Sequence, residues 1–239
     1  MWPDTWTPDA VRAEAKPWRG GIWRMVEAQH LSATMKLVDS AAEQALLEDL
    51  LERYKPPVPE AARHLDYLLA TPFRYPARPG GSRFRAETHP GVFYGAGLVR
   101  TACAELGYHR WRFLCDARDL ERLEPVWHTA FRARVATATV DLRRSPFAEY
   151  AHLWADRRDY SACQAFAGLA RRAGAGAIRY RSVRDPKPGW CLAVLDPGAF
   201  ASPRPSTAVQ TWTLTVRADQ VVWQRRRGET FVFDTQQWE

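Results

Sequence analysis

Residues Gly91–Tyr108 read GVFYGAGLVRTACAELGY, and the way this stretch divides decides the kind of fold. Gly91 to Ala96 is short, apolar and aromatic, the make-up of a strand. Leu98 to Tyr108 reads as a helix that presents Glu105 one turn after Thr101. Upstream, Gly21 to Val26 reads as a first strand carrying Arg24. A helix from Asp39 to Tyr54 follows. Ser40 and Glu43 form its capping box, and Leu46, Leu47, Leu50, Leu51 and Tyr54 recur at helical spacing before Pro56 and Pro57 end it. Glu60 to Leu69 reads as a second helix with Leu65, Leu68 and Leu69 on one side, so residues 40–70 form a helical hairpin. Phe73 to Pro90 is loop-like.

Downstream of Tyr108, Phe131 to Leu142 alternates as a strand, with Phe131, Ala133 and Val135 on one face. Asp159 caps a helix from Tyr160 to Ala173 that stops at Gly174 and Gly176. The strands Ala177–Tyr180 and Trp190–Leu195 are joined by a polar corner, Arg181–Gly189. Within residues 205–239, Thr211 to Phe233 reads as a hairpin turning at Ala218–Gln220. Strands and helices are mixed without a regular beta-alpha alternation, which predicts an α+β fold rather than a doubly wound one. A Gly-x-Gly-x-x-Gly fingerprint and a Walker-type loop are both absent.

The chain has 239 residues, 46% of them apolar and 26% charged, with 14 Gly and 17 Pro. Those values exclude collagen, coiled coil and disulfide scaffold and predict a single domain over 1–239. Trp2, Trp6 and Trp18 lie near the N-terminus without the basic-then-apolar order of a secretory signal, and no window reaches membrane-helix length. Cys103, Cys115, Cys163 and Cys191 are scattered singly, with no metal-ligand spacing, as in reduced cysteines of a cytoplasmic protein. The net charge is +7, and only four of the 34 cationic residues are lysines (Lys16, Lys36, Lys55, Lys187), which leaves 30 arginines. Arginine is the residue of planar phosphate recognition.

Three polar positions sit inside otherwise apolar segments: Arg24 in the first strand, Glu105 in its helix, and Ser182 at a strand end beside Arg184. Charged residues are rarely buried unpaired, so an Arg and a Glu placed this way meet either in a cleft or in an ordinary structural ion pair.

The ordered set Gly81-Ser82-Arg83-Phe84, Pro90 to Ala96 with Tyr94, Ala104-Glu105, and Tyr180-Arg181-Ser182-Val183-Arg184 resembles the RES-domain family of bacterial toxins over roughly residues 20–200. The resemblance implies an NAD-consuming enzyme with a fold like that of diphtheria-type ADP-ribosyltransferases, to which the 40–70 hairpin and the C-terminal hairpin are added. It also implies an Xre-type antitoxin partner, with nucleic acid engaged only through that partner. NAD is then substrate, inorganic phosphate a candidate co-substrate, and no metal or resident cofactor is required. Association into a homodimer stays open.

Carried over position by position, the resemblance implies that Glu105 stabilises the cationic sugar left when the nicotinamide–ribose bond breaks. Arg24 and Arg83 hold the pyrophosphate. Tyr94 stacks on nicotinamide or ribose, or else is an ordinary strand aromatic. Ser182 hydrogen-bonds phosphate or ribose. Arg184 helps to bind inorganic phosphate, or else pairs with Asp185 or Asp196. Arg85 stands where many relatives carry Asn. Phosphorolysis or hydrolysis of NAD is the expected reaction, with ADP-ribosyl transfer to a protein as the alternative. A reading of a different class is a nucleic-acid-binding protein. Arg132, Arg134, Arg143, Arg144 and Arg225–Arg227 would touch phosphates, and Trp223 would stack on a base.

Overall fold

The computed structural model describes residues 6–28, 38–117 and 119–239; Trp2 and Lys36 fall outside them. In chain order the elements are α1 (Pro8–Glu14), β1 (Lys16–Glu27), α2 (Ala41–Tyr54), α3 (Tyr67–Arg74), β2 (Phe93–Ala96), α4 (Val99–Asp116), β3 (Arg122–Asp141), α5 (Ala151–Trp154), α6 (Ser161–Arg172), β4 (Ala177–Arg181), β5 (Trp190–Val194), β6 (Gln210–Arg217), β7 (Gln220–Arg225) and β8 (Thr230–Asp234). The eight strands form one sheet in the order β1-β2-β5-β4-β3-β6-β7-β8. An additional β1–β3 pairing closes β1, β2, β5, β4 and β3 into a ring. Only β3 and β4 are parallel, and every other neighbouring pair is antiparallel.

β3 organises this arrangement. It pairs with the whole of β1, from Lys16 opposite Thr139 to Glu27 opposite His128. Its first half also pairs with β6, and its last residues, Thr139 to Asp141, with β4. The expected alternation holds: Phe131, Ala133 and Val135 are fully buried on one face. Because successive strand residues point to opposite faces, the sheet feeds two cores. Ile22, Phe93, Phe131, Leu192 and Val194 pack with Leu69 and Phe73 of α3 on one side. Met25, Ala96, Cys191 and Ile178 pack with Cys103 and Leu114 of α4 and Phe166 of α6 on the other. Each fully buried large side chain among them contributes about 1.5–3 kcal/mol.

The structure corrects several boundaries. The predicted helix Glu60–Leu69 is a short turn at Glu60–Ala62 followed by α3. Asp66 is extended and caps a new helix, its carboxylate accepting from Leu68 N at 2.9 Å, so the chain changes direction where continuous helix was expected. Strand β3 starts at Arg122 rather than Phe131, with a register shift between Leu123 and Val126 that accommodates Pro125. The C-terminal hairpin is a three-stranded meander, because Gly228 at φ +123° allows a second turn. In α2, Ser40 Oγ accepts from Glu43 N at 3.2 Å, one half of the expected capping box, while Glu43 accepts at 2.9 Å from the N–H of Asp39, the residue before the cap. Its leucines, however, are largely exposed. Cys103, Cys163 and Cys191 are buried and Cys115 is exposed, all as free thiols. Among the described residues no helix is long and apolar enough to cross a membrane.

Candidate active site

A cavity of roughly 280 Å³ opens between β1, the loop at 81–83, β2, α4 and the corner after β4. Arg24, Arg83, Tyr94, Glu105 and Arg184 all line it. Residues spread over 160 positions of sequence thus converge in one place, each brought by a different element.

Arg83 reaches the cavity because its loop is tightly turned. Gly81 has φ +70°, and a Cβ there would come within 2.1 Å of Arg85 O, so only glycine fits. Ser82 and Arg85 then exchange backbone hydrogen bonds of 2.8 and 3.0 Å. The Tyr94 hydroxyl accepts from Phe84 N at 2.9 Å and lies 2.8 Å from Ser82 Oγ, fastening this loop to β2. Burial raises the Tyr94 phenol to about 12, so it is a neutral hydroxyl at working pH. Arg83 itself is buried. Its Nη1 donates to Trp154 O at 2.9 Å and Asp156 O at 2.8 Å, with its guanidinium 4.6 Å from the Tyr160 ring centroid. Arg85 turns the other way, donating to His89 O and Tyr75 O, and does not line the cavity.

Arg24 crosses from β1 to β2, donating to Tyr94 O at 2.8 Å and lying 4.6 Å from the Phe93 ring centroid. Burial lowers its guanidinium to about 10, which leaves it cationic at neutral pH. Arg184 is 2% exposed and sits 3.5 Å from the Tyr108 ring centroid, with Nη2 donating to Arg157 O at 2.5 Å and Tyr160 Oη at 3.2 Å. Its Nη1 is buried without a partner. The expected alternative pairing with Asp185 or Asp196 is not formed. Asp185 is instead taken by Arg100 and by Thr101 Oγ1.

Glu105 projects from α4, where Thr101, Ala102, Cys103, Ala104 and Gly107 are buried. A Cβ on Gly107 would meet Val221 Cγ1 at 3.0 Å, so this glycine lets α4 lie close on β7 and fixes the helix that carries the carboxylate. Oε1 of Glu105 accepts from Ser182 Oγ at 2.6 Å and lies 3.7 Å from Cys191 Sγ. Among the described residues no arginine or lysine forms a salt bridge with Glu105, and none of Arg24, Arg83 and Arg184 pairs with a carboxylate. The ordinary structural ion pair is thereby overturned. Acid and bases share the cavity without neutralising one another.

Ser182 differs from expectation. It is 3% exposed and absent from the cavity lining, set behind Glu105. Its oxygen also accepts from Arg184 N at 3.3 Å and Asp185 N at 3.1 Å, which uses its lone pairs in shaping the corner. The nucleic-acid reading loses its stacking residue, since Trp223 is fully buried, and Arg143 is engaged bidentately by Asp141.

Sequence reasoning missed Trp23, His109, Tyr160, Tyr180 and Cys191, which also line the cavity. His109 was accessible to it, being four residues after Glu105 and so on the same helix face. It stands at the exposed rim of the cavity. Among the described residues no group of three or more His, Cys, Asp or Glu side chains comes together as a metal site.

No curated protein matches the sequence significantly. Among solved structures, a chain of the M. tuberculosis MbcT-MbcA toxin-antitoxin complex aligns at 12% identity and a TM-score of 0.48, covering 98% of this chain and 96% of that one. The RES domain model matches residues 57–217, which hold Arg83, Tyr94, Glu105, Ser182 and Arg184 and make up well over half of the sequence. The chain belongs to the RES domain family.

Proposed function

We propose that this protein is the toxin of a toxin–antitoxin pair and that it cleaves the nicotinamide–ribose bond of NAD by phosphorolysis or hydrolysis. The observation that carries the reading is a carboxylate without a cation, Glu105, sharing one cavity with three arginines without carboxylates. Family membership supports it. A fold like that of the diphtheria-type ADP-ribosyltransferases belongs to the same reading, as do a cytoplasmic site of action and an Xre-type antitoxin that covers the cavity.

Nicotinamide leaves as a neutral pyridine and needs little acid help, so the barrier is the cationic character that develops on the ribose. A fixed carboxylate beside that carbon, in a water-poor cleft, stabilises the transition state. Glu105 takes this role, oriented by Ser182. Arg24, Arg83 and Arg184 hold the pyrophosphate, a dianion suited to several guanidinium donors. Tyr94 gives its ring to the nicotinamide ribose while its hydroxyl keeps the Arg83 loop in place. An arginine-rich cavity also favours an anionic second substrate, hence phosphate ahead of a protein side chain.

The test is chromatography of purified protein incubated with NAD, with and without inorganic phosphate. Nicotinamide should appear together with phosphorylated ADP-ribose or with ADP-ribose. Glu105→Gln should lower turnover on the order of a hundred- to a thousand-fold while the protein stays folded. Intact NAD under both conditions, with folded protein free of bound inhibitor, overturns the enzymatic reading. Transfer of ADP-ribose to added protein instead would make it a transferase.

A further inference from the structure

The corner that carries Arg184 is gripped from behind by residues 233–239. Trp238 Nε1 donates to Arg184 O at 2.8 Å, both atoms being buried. The indole is itself enclosed, 3% exposed, against Phe233 (5.9 Å, 24°), Trp111 (5.9 Å, 52°) and Tyr108 (5.8 Å, 85°). Tyr108 is also the ring over which the Arg184 guanidinium lies. A second attachment reaches the other end of the side chain. Arg157 O accepts from Arg184 Nη2, while Arg157 Nη1 donates to Gln237 O at 2.7 Å and Arg158 Nη2 to Glu239 O at 2.9 Å. The backbone and the head group of Arg184 are thus both tied, through one intermediary each at most, to the same short segment.

We propose that Trp238 is a positioning residue for Arg184, so that the anion affinity of the cavity is set by the segment 233–239. The inference rests on the reading of the cavity as a site for the pyrophosphate of a dinucleotide. A buried guanidinium with no carboxylate partner is held only by neutral groups, and Arg184, which lines the cavity, keeps at Nη1 one buried donor that no protein group takes. Small shifts of the 184 backbone move that donor, because Arg184 N and Arg184 O are each fixed by a single bond, to Ser182 Oγ and to Trp238. The segment lies beyond residues 57–217 that match the family model, so this support belongs to the part of the chain outside the match.

Trp238→Phe keeps an aromatic ring in the pocket and deletes the donor together with the pyrrole half of the indole. It should raise the KM for NAD about five- to tenfold with little change in kcat, the effect of one buried hydrogen bond. Arg157→Ala, a surface change that removes the bond to Gln237 O, should move KM the same way by less. Arg184→Lys should raise KM further, and Trp238→Phe should add almost nothing on that background, since coupled residues are non-additive. A KM unchanged in both Trp238→Phe and Arg157→Ala overturns the proposal, and so does an effect that adds fully to that of Arg184→Lys or falls on kcat alone. If the wild type leaves NAD intact, the proposed function has failed separately. The coupling is then read by calorimetry with inorganic pyrophosphate: weaker binding in Trp238→Phe supports it, and equal binding overturns it.

Discussion

Ser182 Oγ donates to Glu105 Oε1 at 2.6 Å while accepting from the backbone of residues 184 and 185. One hydroxyl therefore orients the carboxylate and shapes the corner that carries Arg184. Ser182→Ala should lower NAD cleavage about tenfold through the loosened Glu105. It should also lower stability by about 1–3 kcal/mol, because buried backbone donors lose their acceptor. Paired rate measurements and denaturant titrations check both, and full activity in a destabilised variant would remove Ser182 from the positioning of Glu105.

Arg83→Lys should behave as a loss rather than a conservative change. One nitrogen, Nη1, donates to both Trp154 O and Asp156 O while the planar guanidinium lies on Tyr160, so a lysine that engaged the two carbonyls would have no planar group for the ring and no second nitrogen to turn to a substrate. KM for NAD should rise at least tenfold in the lysine variant, approaching that of Arg83→Ala. Steady-state kinetics on the two variants side by side decides this.

Stability should fall on mild acidification. His128 is 1% exposed, and desolvation lowers its pKa below the ordinary 6.5. The unfolded chain then binds more protons than the folded one as pH drops below about 6.5, so stability is full above that value and declines between it and the depressed pKa. His89 is shifted the same way and adds to the slope. Thermal melts between pH 7.5 and 5.5 should show the decline, and His128→Leu should flatten part of it.

Changes on the outer face of α2 should be nearly silent for stability. Leu46, Leu50 and Leu51 are 58%, 40% and 46% exposed, so Leu50→Glu or Leu51→Glu removes little buried surface. A shift within about 0.5 kcal/mol and unchanged NAD kinetics are expected. A large loss in a denaturant titration would mean that this face is covered in the folded protein.

The sequence made the strands and α4 legible because alternation and helical spacing are local signals. Gly91–Ala96 and the polar corner Arg181–Gly189 could be placed for that reason. Glu60–Leu69 misled because Asp66 caps a new helix in the middle of an apolar pattern, and pattern alone does not show a cap. In α2 the leucines keep a helical period without a core to bury them, so periodicity announced the helix and said nothing of its surroundings. Arg83, Tyr94, Glu105 and Arg184 stand in a motif order and Arg24 interrupts an apolar strand, but their meeting in one cavity follows from pairings far apart in sequence. The motif shows that Ser182 belongs near the site and not on which side of Glu105 it lies, since only three dimensions distinguish a wall of the cavity from the support behind it. Trp238 gave no local signal at all.

The ring closed by β1 and β3 has a bearing on synthesis. β1 lies almost entirely before residue 27, yet its partner is complete only at Asp141, and Arg184 emerges later still. Chains leave the ribosome at about 5–20 residues per second, so many seconds separate the first arginine of the cavity from the last. No shorter nascent fragment can hold Arg24, Glu105 and Arg184 together. If the proposed function holds, a cell making this protein carries an unarmed polypeptide through most of translation, and an inhibitor that covers the cavity has a surface to cover only once the corner has folded.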